Sequence, residues 1–291
     1  MIDYDYPLFR PPAEADNIII QVTLGCSYNS CSFCSMYKSK KYQERSLEEI
    51  YKDIDTFARV YPESHKIFLA DGDALGLPTH SLIEILQYLQ KSFAKLRRVS
   101  AYASAQNLLA KSEEELELLA ENKLNLIYYG IESGNDTVLK KITKGVDQAQ
   151  IIRSLNKVPK SMKISATVIL GIGGERYSSV HVRDTAHVVN NTNINYLSTL
   201  QLGLEADAKP NFYKHFSDFT ALDDEKILQE QRSFLELLEP KNRVIFRSNH
   251  ASNALHLSGN LPKDRDRILQ QLDTAIEIGN KAFIPKIFRG F

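Results

Sequence analysis

The segment CSYNSCSFC, residues 26–34, contains all three cysteines of this 291-residue chain. Thiolates are soft ligands that favour zinc, copper(I) or iron–sulfur clusters. A structural zinc site normally has four protein ligands, and the nearest histidine in sequence, His65, lies well outside the segment. Four cysteines usually hold a [4Fe–4S] cluster, so three would leave one iron open. The spacing of Cys26, Cys31 and Cys34 therefore indicates a metal centre with an open coordination position. Three inert, buried cysteines are the alternative.

Composition predicts a globular protein of the reducing cytoplasm. Apolar residues make up 43% and charged residues 25% of the chain, which is ordinary for a globular protein. The 36 basic residues balance 36 acidic ones, so no overall field attracts nucleic acid or an anionic membrane. The sequence shows no apolar run long enough to span a membrane and no signal peptide. In the cytoplasm, clustered cysteines favour metal or redox chemistry over disulfides.

Short apolar runs alternate with amphipathic segments over most of the chain, and one of these, from Ser46, opens as a capping box with Glu49. The alternation predicts parallel βαβ units. The predicted strands are 17–24, 66–70, 98–104, 125–130, 164–171 and 195–204. We expect an α/β fold, a partial (β/α)6 TIM-like barrel with a C-terminal α/β extension. The predicted divisions are an N-terminal segment 1–15, a core barrel 16–208, and an extension 209–291 that packs on the barrel with a strand at 243–249.

The loops after the first five strands carry the unusual residues. Ligands of parallel α/β folds bind at the carboxyl ends of the strands, so these loops are expected on one rim. Asp71 and Asp73 flank Gly72 after the second strand and would accept hydrogen bonds from an ammonium group. Residues 104–107 follow the third strand. Each loop alone has a plainer interpretation as a turn or a helix cap.

Two further loops suit a nucleoside-like cofactor. Glu132 follows the fourth strand, a suitable place for ribose hydroxyls. Gly171, Gly173 and Gly174 follow the fifth strand, and glycines let a flat ring approach the backbone closely. Together with the thiols, these loops predict one site for a metal centre and a nucleoside-like cofactor.

The cysteine segment resembles the motif of radical S-adenosylmethionine (SAM) enzymes. Cys26, Cys31 and Cys34 match its three cysteines, and Phe33 is the aromatic residue expected before the last one. The first gap has four residues where the family usually has three. The resemblance covers about residues 16 to 205 and is nearest to the branch of Elongator-type, methylthiotransferase and oxygen-independent coproporphyrinogen oxidase-like enzymes.

The resemblance implies roles for the other loops. Asp71-Gly72-Asp73 stands where the family normally has Gly-Gly-Glu and would hold the methionine amino group of SAM. The cofactor contacts also expected are Ser104, Glu132, Ser133, Ile169, Gly171 and Gly173. Lys144-Gly145 resembles an Arg-Gly pair of the family, with lysine substituted.

The family implies a [4Fe–4S] cluster and SAM as cofactors. It also implies a mechanism in which reductive cleavage of SAM gives methionine and a 5′-deoxyadenosyl radical that removes hydrogen from a substrate. An electron donor such as flavodoxin or ferredoxin is the implied partner. Since the chain contains no further cysteine, an auxiliary cluster and sulfur insertion are not expected.

The substrate is expected to be small, and FRSNHASN, residues 246–253, is the candidate lip that would bind it. Arg247 would bind an anionic group, Asn249 lies beside it, and His250 would transfer protons. The plainer interpretation is a capped strand end. His181 is expected to be a surface or packing residue. A carrier or chaperone for cluster, SAM or haem, and a structural zinc protein, are the alternative functions.

Overall fold

The computed structural model describes residues 2–290, and helices alternate with strands through most of that range. The strands are β1 Ile18–Gln21, β2 Thr23–Leu24, β3 Gln43–Glu44, β4 Lys66–Ala70, β5 Arg98–Ala103, β6 Leu124–Glu132, β7 Lys163–Leu170, β8 Tyr196–Gln201, β9 Val244–Ser248 and β10 Leu257–Leu261. The helices are α1 Leu47–Val60, α2 Thr79–Ser92, α3 Ala105–Ala110, α4 Glu113–Glu121, α5 Asp136–Lys141, α6 Gln148–Asn156, α7 Gly174–Asn190, α8 Lys209–His215, α9 Asp224–Glu236 and α10 Arg265–Ile278.

Eight strands form one sheet in the order β1-β4-β5-β6-β7-β8-β9-β10. The pairs β1–β4, β4–β5, β5–β6, β7–β8 and β8–β9 are parallel, and β9–β10 is antiparallel. This order confirms the predicted α/β class and is the one expected of a partial (β/α)6 TIM-like barrel. The first predicted strand, 17–24, is in fact two strands, because β2 leaves the large sheet to pair with β3.

The C-terminal part of the chain adds two strands to the sheet. β9 pairs in parallel with β8, with Leu197 opposite Phe246. β10 then pairs with β9, so the sheet has two strands more than predicted. β10 is short and contains Ser258, Gly259 and Asn260, residues that carry little strand preference. Its formation depends on the partner strand.

Local sequence signals set the helix starts. The Ser46 hydroxyl accepts the Glu49 amide at 3.3 Å, and the Glu49 carboxylate accepts the Ser46 amide at 3.1 Å, which confirms the predicted capping box. The Asp223 carboxylate accepts the Lys226 amide at 2.8 Å and caps α9 in the same way.

The chain forms two compact units that interleave along the sequence. The first contains the described part of Met1–Asn29, with Met36–Tyr129 and Lys157–Ile164. Its core includes the fully buried Ile20, Phe68 and Leu69. The second contains Ser30–Ser35, Gly130–Asn156 and the described part of Ser165–Phe291. Its core includes the fully buried Leu197, Leu235 and Phe246. The division at residues 15 and 208 stays a prediction.

No helix within residues 2–290 is both long and apolar enough to cross a bilayer.

Candidate cluster and cofactor site

The cysteine loop is shared between the two units. Cys26 belongs to the first unit, and Cys31 and Cys34 belong to the second. All three are half-buried, and none forms a disulfide. Within the described range, no group of three or more histidine, cysteine, aspartate or glutamate side chains is arranged as a metal site. The assignment of these cysteines as ligands therefore stays a prediction.

A hydrogen-bonded chain in the first unit supports the start of the cysteine loop. Ser27, next to Cys26, donates its hydroxyl to the Asp73 carboxylate. The Asn107 side chain also bonds this carboxylate, and burial raises the pKa of Asp73 against the effect of both bonds. Asn107 in turn caps α3 together with Ser104, whose amide donates to Asn107 Oδ1 at 2.9 Å. Asp73 and Ser104, both predicted to contact the cofactor, are thus linked through Asn107, and Asp73 also bonds Ser27, the residue after Cys26.

Tyr42 lies close to the same group. Burial is the main cause that raises the pKa of Tyr42 to about 12, followed by negative charge at Glu44 and Asp73 and, more weakly, at Cys26. Tyr42 therefore stays protonated at neutral pH. Negative charges at Asp73 and Cys26 both affect Tyr42, so the two residues lie near the same side chain in the first unit.

Asp71 is fully buried and forms an ion pair with Lys40. Lys40 Nζ lies 2.8 Å from Asp71 Oδ2, and the Lys40 side chain is 3% exposed. The Gly25 amide also donates to Asp71 Oδ2, at 3.3 Å. Of the described protein atoms, none bonds Asp71 Oδ1. Lys40 thus pairs with one oxygen of this carboxylate, and the other oxygen is buried with no hydrogen-bond partner in residues 2–290.

Gly72 is a place where no side chain fits. A Cβ built there would lie 2.5 Å from Tyr37 Cε2 and 3.0 Å from the Gly25 carbonyl oxygen. Real Cβ atoms do not approach ring atoms this closely, so glycine is needed between Asp71 and Asp73. The backbone of this loop packs directly on the residue before Cys26.

The second half of the cysteine loop is held by other contacts, within the second unit. The Ser32 amide donates to the Ile142 carbonyl at 3.0 Å, and the Thr143 hydroxyl donates to the Ser30 carbonyl at 2.6 Å. Ile142 and Thr143 directly follow α5. The stretch that carries Cys31, Phe33 and Cys34 is therefore fixed from the end of a helix. Phe33 is half-buried.

Glu132 ends β6 in a backbone conformation unusual for a side-chain-bearing residue, with φ +62°. Its Oε1 lies 3.0 Å from Lys144 Nζ, and both side chains are largely buried. Lys144, the substituted position of the Arg-Gly pair, is thus the partner of the predicted ribose-binding carboxylate.

Ser133 contacts His181, which the sequence predicted to be a surface or packing residue. Its hydroxyl lies 2.8 Å from His181 Nδ1, and His181 is 1% exposed. Burial lowers the pKa of His181 to about 4, and the ring also bonds the Ile169 carbonyl of β7. Neutral His181 therefore connects the predicted residues Ser133 and Ile169. A polar residue at position 181, between the apolar helix positions, was the sequence signal for this role.

The turn after β7 is held by Glu230, a residue that the sequence did not predict for the site. The Gly171 amide, at φ +78°, donates to Glu230 Oε1 at 2.6 Å. Gly173 packs on His181, since a Cβ there would lie 3.2 Å from His181 Cβ. Glu230 occupies the buried face of α9 with Ile227, and a charged residue within an apolar stripe was the available signal.

The predicted substrate lip has the geometry of a capped strand end. Arg247 and Asn249 are exposed and help to line a surface recess of about 190 Å³. His250 Nδ1 lies 2.9 Å from the Ser252 hydroxyl, and burial lowers the His250 pKa. Asn253 joins the turn to β8, because its Oδ1 accepts the Gln201 amide at 2.7 Å. A role of Arg247, Asn249 and His250 toward a substrate stays a prediction.

The residues present fit the cofactors that the sequence predicts. Three thiols in one loop would suit an iron–sulfur centre with an open iron. Three buried oxygen atoms in or beside this loop and the loop after β4 have no hydrogen-bond partner in the described residues. They are Thr23 Oγ1, Ser32 Oγ and Asp71 Oδ1. Such atoms call for an explanation, of which a bound group is one.

Comparisons with known proteins support an iron–sulfur and SAM chemistry. The family model of the radical SAM superfamily matches residues 20–185, more than half of the chain. A tRNA-2-methylthio-N(6)-dimethylallyladenosine synthase of Vibrio vulnificus is 24% identical over 194 residues, which cover 62% of this chain and 39% of that protein. The chain spans only 21–40% of the length of the curated relatives that it matches.

Two solved structures share the fold. Methylornithine synthase superposes with a TM-score of 0.52 at 14% identity, over 90% of this chain and 81% of that one. Coproporphyrinogen III oxidase of Escherichia coli, a radical SAM enzyme, superposes with a TM-score of 0.53 at 14% identity, over 76% of this chain and 52% of that one. These likenesses confirm the predicted fold.

Proposed function

Because the chain belongs to the radical SAM superfamily, we propose that it is an enzyme that cleaves SAM reductively and removes a hydrogen atom from a small substrate. Members of the superfamily use a [4Fe–4S] cluster and SAM. The observation that carries the proposal is the set of three half-buried thiols, Cys26, Cys31 and Cys34, in a loop fixed on both sides.

When bound, these cofactors supply the one-electron cleavage of the SAM sulfur–carbon bond, which gives methionine and a 5′-deoxyadenosyl radical. Cys26, Cys31 and Cys34 would hold three irons of the cluster and leave the fourth open to SAM. Asp71 Oδ1, buried and without a protein partner in residues 2–290, would accept a hydrogen bond from the methionine ammonium group. Lys40 pairs with the other oxygen of Asp71, so Oδ1 is the oxygen left for a ligand.

Residues at the end of β6 and after β7 would hold the nucleoside half of SAM. Glu132, kept in place by Lys144 at 3.0 Å, would accept hydrogen bonds from ribose hydroxyls. The glycine turn that begins at Gly171 would present backbone to the adenine ring. Neutral His181 fixes Ser133 relative to Ile169 without adding a charge next to the ligand.

The partners and the location follow from the same proposal. Reductive cleavage needs one electron for each SAM, which a flavodoxin or ferredoxin would deliver. The exposed side chains Arg247 and Asn249, with the half-buried His250 next in sequence, are the proposed lip for a small anionic substrate. Open clusters and free thiols persist in a reducing compartment, so we propose the cytoplasm.

Anaerobic reconstitution followed by a SAM-cleavage assay tests the proposal. The protein with iron and sulfide should turn brown and, after reduction, convert SAM to 5′-deoxyadenosine. A colourless protein that retains zinc alone would contradict the assignment. A stable cluster with SAM bound but no 5′-deoxyadenosine would instead favour a carrier or chaperone.

A further inference from the structure

The turn after β7 is enclosed by residues that lie some fifty positions later in the chain. Gly171 has φ +78°, and a Cβ there would lie 2.5 Å from Ile227 Cδ1 of α9. Gly174 has φ +58°, and a Cβ there would lie 2.8 Å from the Thr220 carbonyl oxygen. Both positions require the left-handed backbone that glycine adopts easily. The shape of this turn is therefore set partly by α9 and the segment that precedes it.

One carboxylate on α9 fixes the turn by hydrogen bonds. Glu230 Oε1 accepts the Gly171 amide at 2.6 Å, and Glu230 Oε2 accepts the hydroxyl of Ser178 on α7. Glu230 is 3% exposed. A single side chain thus joins the first residue of the turn to the helix that follows the turn.

This carboxylate has no charged partner. Within residues 2–290, the one basic side chain recorded within 4 Å is His181, whose Nε2 lies 3.9 Å from Glu230 Oε1. Burial lowers the pKa of His181 to about 4, so the ring is neutral at neutral pH. A buried carboxylate held only by neutral donors is costly compared with an apolar side chain of similar size. The hydrogen bond that it accepts from the Gly171 amide gives a reason for a glutamate at this buried position.

We propose that Glu230 is a positioning residue for the cofactor, because its carboxylate holds the Gly171 amide and so keeps the turn in the backbone conformation that would meet the adenine end of SAM. This inference rests on the proposed function. Glu230 does not touch the reacting atoms in this proposal. It acts through the backbone of Gly171, and the position of the acceptor oxygen matters more than its charge.

Two substitutions separate position from charge. Glu230→Gln keeps an oxygen at the place of Oε1 without charge, whereas Glu230→Asp keeps the charge but shortens the side chain by one methylene. Glu225→Asp on the exposed side of the same helix is the matched control. SAM affinity is measured by equilibrium dialysis on the reconstituted protein, and amide exchange of residues 171–174 is measured on the same preparations.

We expect E230Q to bind SAM within about threefold of wild type and E230D to bind about tenfold more weakly, since a lost hydrogen bond to a buried amide costs about 1–3 kcal/mol. Amide exchange at the turn should be faster in E230D alone, and the iron content should be unchanged in all variants. Wild-type affinity in E230D, or equal losses in E230Q and E230D, would overturn the inference.

The outcomes also separate this inference from the proposed function. If wild type takes up no cluster and binds no SAM, the proposed function fails, and exchange at residues 171–174 still tests the hold of Glu230 on the turn. If wild type binds and cleaves SAM while E230D behaves like the control, the proposed function stands and the positioning role fails.

Discussion

Lys144 Nζ lies 3.0 Å from Glu132 Oε1, and this pair occupies the end of the strand proposed to bind the ribose. A Cβ at Gly130 would collide with Glu132 Oε1 and lie 3.1 Å from Lys144 Nζ. The pair therefore depends on a glycine two positions before the glutamate. Lys144 supplies a positive charge beside Glu132 as a single point charge, without the planar fork of an arginine.

Lys144→Met should leave Glu132 largely buried without its partner. We expect the free energy of unfolding to fall by about 2 kcal/mol, less than for a fully buried pair because both side chains keep some exposure. Lys144→Arg should lose much less. Urea unfolding measures the change, and Lys140→Met, at an exposed position of α5, is the control. Equal stability of K144M and K140M would show that the pair contributes nothing.

Each cysteine of the loop should be required for the cluster. Cys26→Ala, Cys31→Ala and Cys34→Ala should each lose the brown absorbance and most of the bound iron, since two thiolates cannot replace the three ligands of the proposed site. Ser35→Ala, in the same loop, should keep both. Iron analysis after anaerobic reconstitution checks this, and a full cluster in any cysteine variant would remove that residue from the ligand set.

Gly72→Ala should disturb the loop that carries the two aspartates. The new methyl group would lie 2.5 Å from Tyr37 Cε2, and overpacking of this kind costs about 1–3 kcal/mol. Gly290→Ala, whose methyl would meet Ala251 at an ordinary 3.7 Å, should be neutral.

A double-mutant cycle with Tyr37→Leu tests the cause of that loss. If the ring is responsible, G72A should cost less in the Y37L background than in wild type. Additive effects of the two substitutions would exclude the ring contact.

The buried carboxylate of Glu230 should make stability depend on pH. Burial raises its pKa from 4.5 to about 7, so the folded state keeps a proton that the unfolded state releases. The stabilisation is therefore complete below about pH 4.5 and is lost as the pH rises to about 7. His181 has the opposite sign, because its pKa is lowered from 6.5 to about 4 and its stabilisation is lost as the pH falls.

Glu230→Gln isolates this effect. The unfolding free energy of E230Q, relative to wild type, should increase by about 1.4 kcal/mol for each pH unit across the window between the two Glu230 pKa values. Wild type itself should show a shallower slope, since His181 opposes Glu230 over much of that window. Denaturant unfolding at several pH values gives the difference, and a constant difference would mean that Glu230 does not titrate there.

The local parts of the fold could be predicted from the sequence, because they depend on neighbouring residues. Strand β4 has the predicted bounds, 66–70, and the Ser46–Glu49 capping box is present. Strand β10 was missed, because its sequence carries little strand preference and it forms only beside β9. The position of β9 in the sheet was missed for a similar reason, since sheet neighbours are not encoded by local periodicity.

The predicted site shows the same limit. Asp71 and Glu132 were predicted from their places after strands, but their ion pairs with Lys40 and Lys144 were not. Lys40 lies 31 residues from Asp71 in sequence and Glu230 lies 59 residues from Gly171. A contact over such a separation leaves no spacing pattern in one sequence. For Glu230, the one signal in the sequence was a charged residue on an otherwise apolar face of a helix.

The contacts of Glu14 show what a large separation in sequence implies for the time at which a contact can form during synthesis of the chain. Its carboxylate is fully buried, and its Oε1 lies 2.8 Å from Arg98 Nη2 and 2.5 Å from the Tyr128 hydroxyl. These partners follow Glu14 by 84 and 114 residues. At a synthesis rate of about 5–20 residues per second, the carboxylate emerges on the order of ten seconds before Tyr128. Glu14 therefore cannot complete its contacts until Tyr128 has left the ribosome.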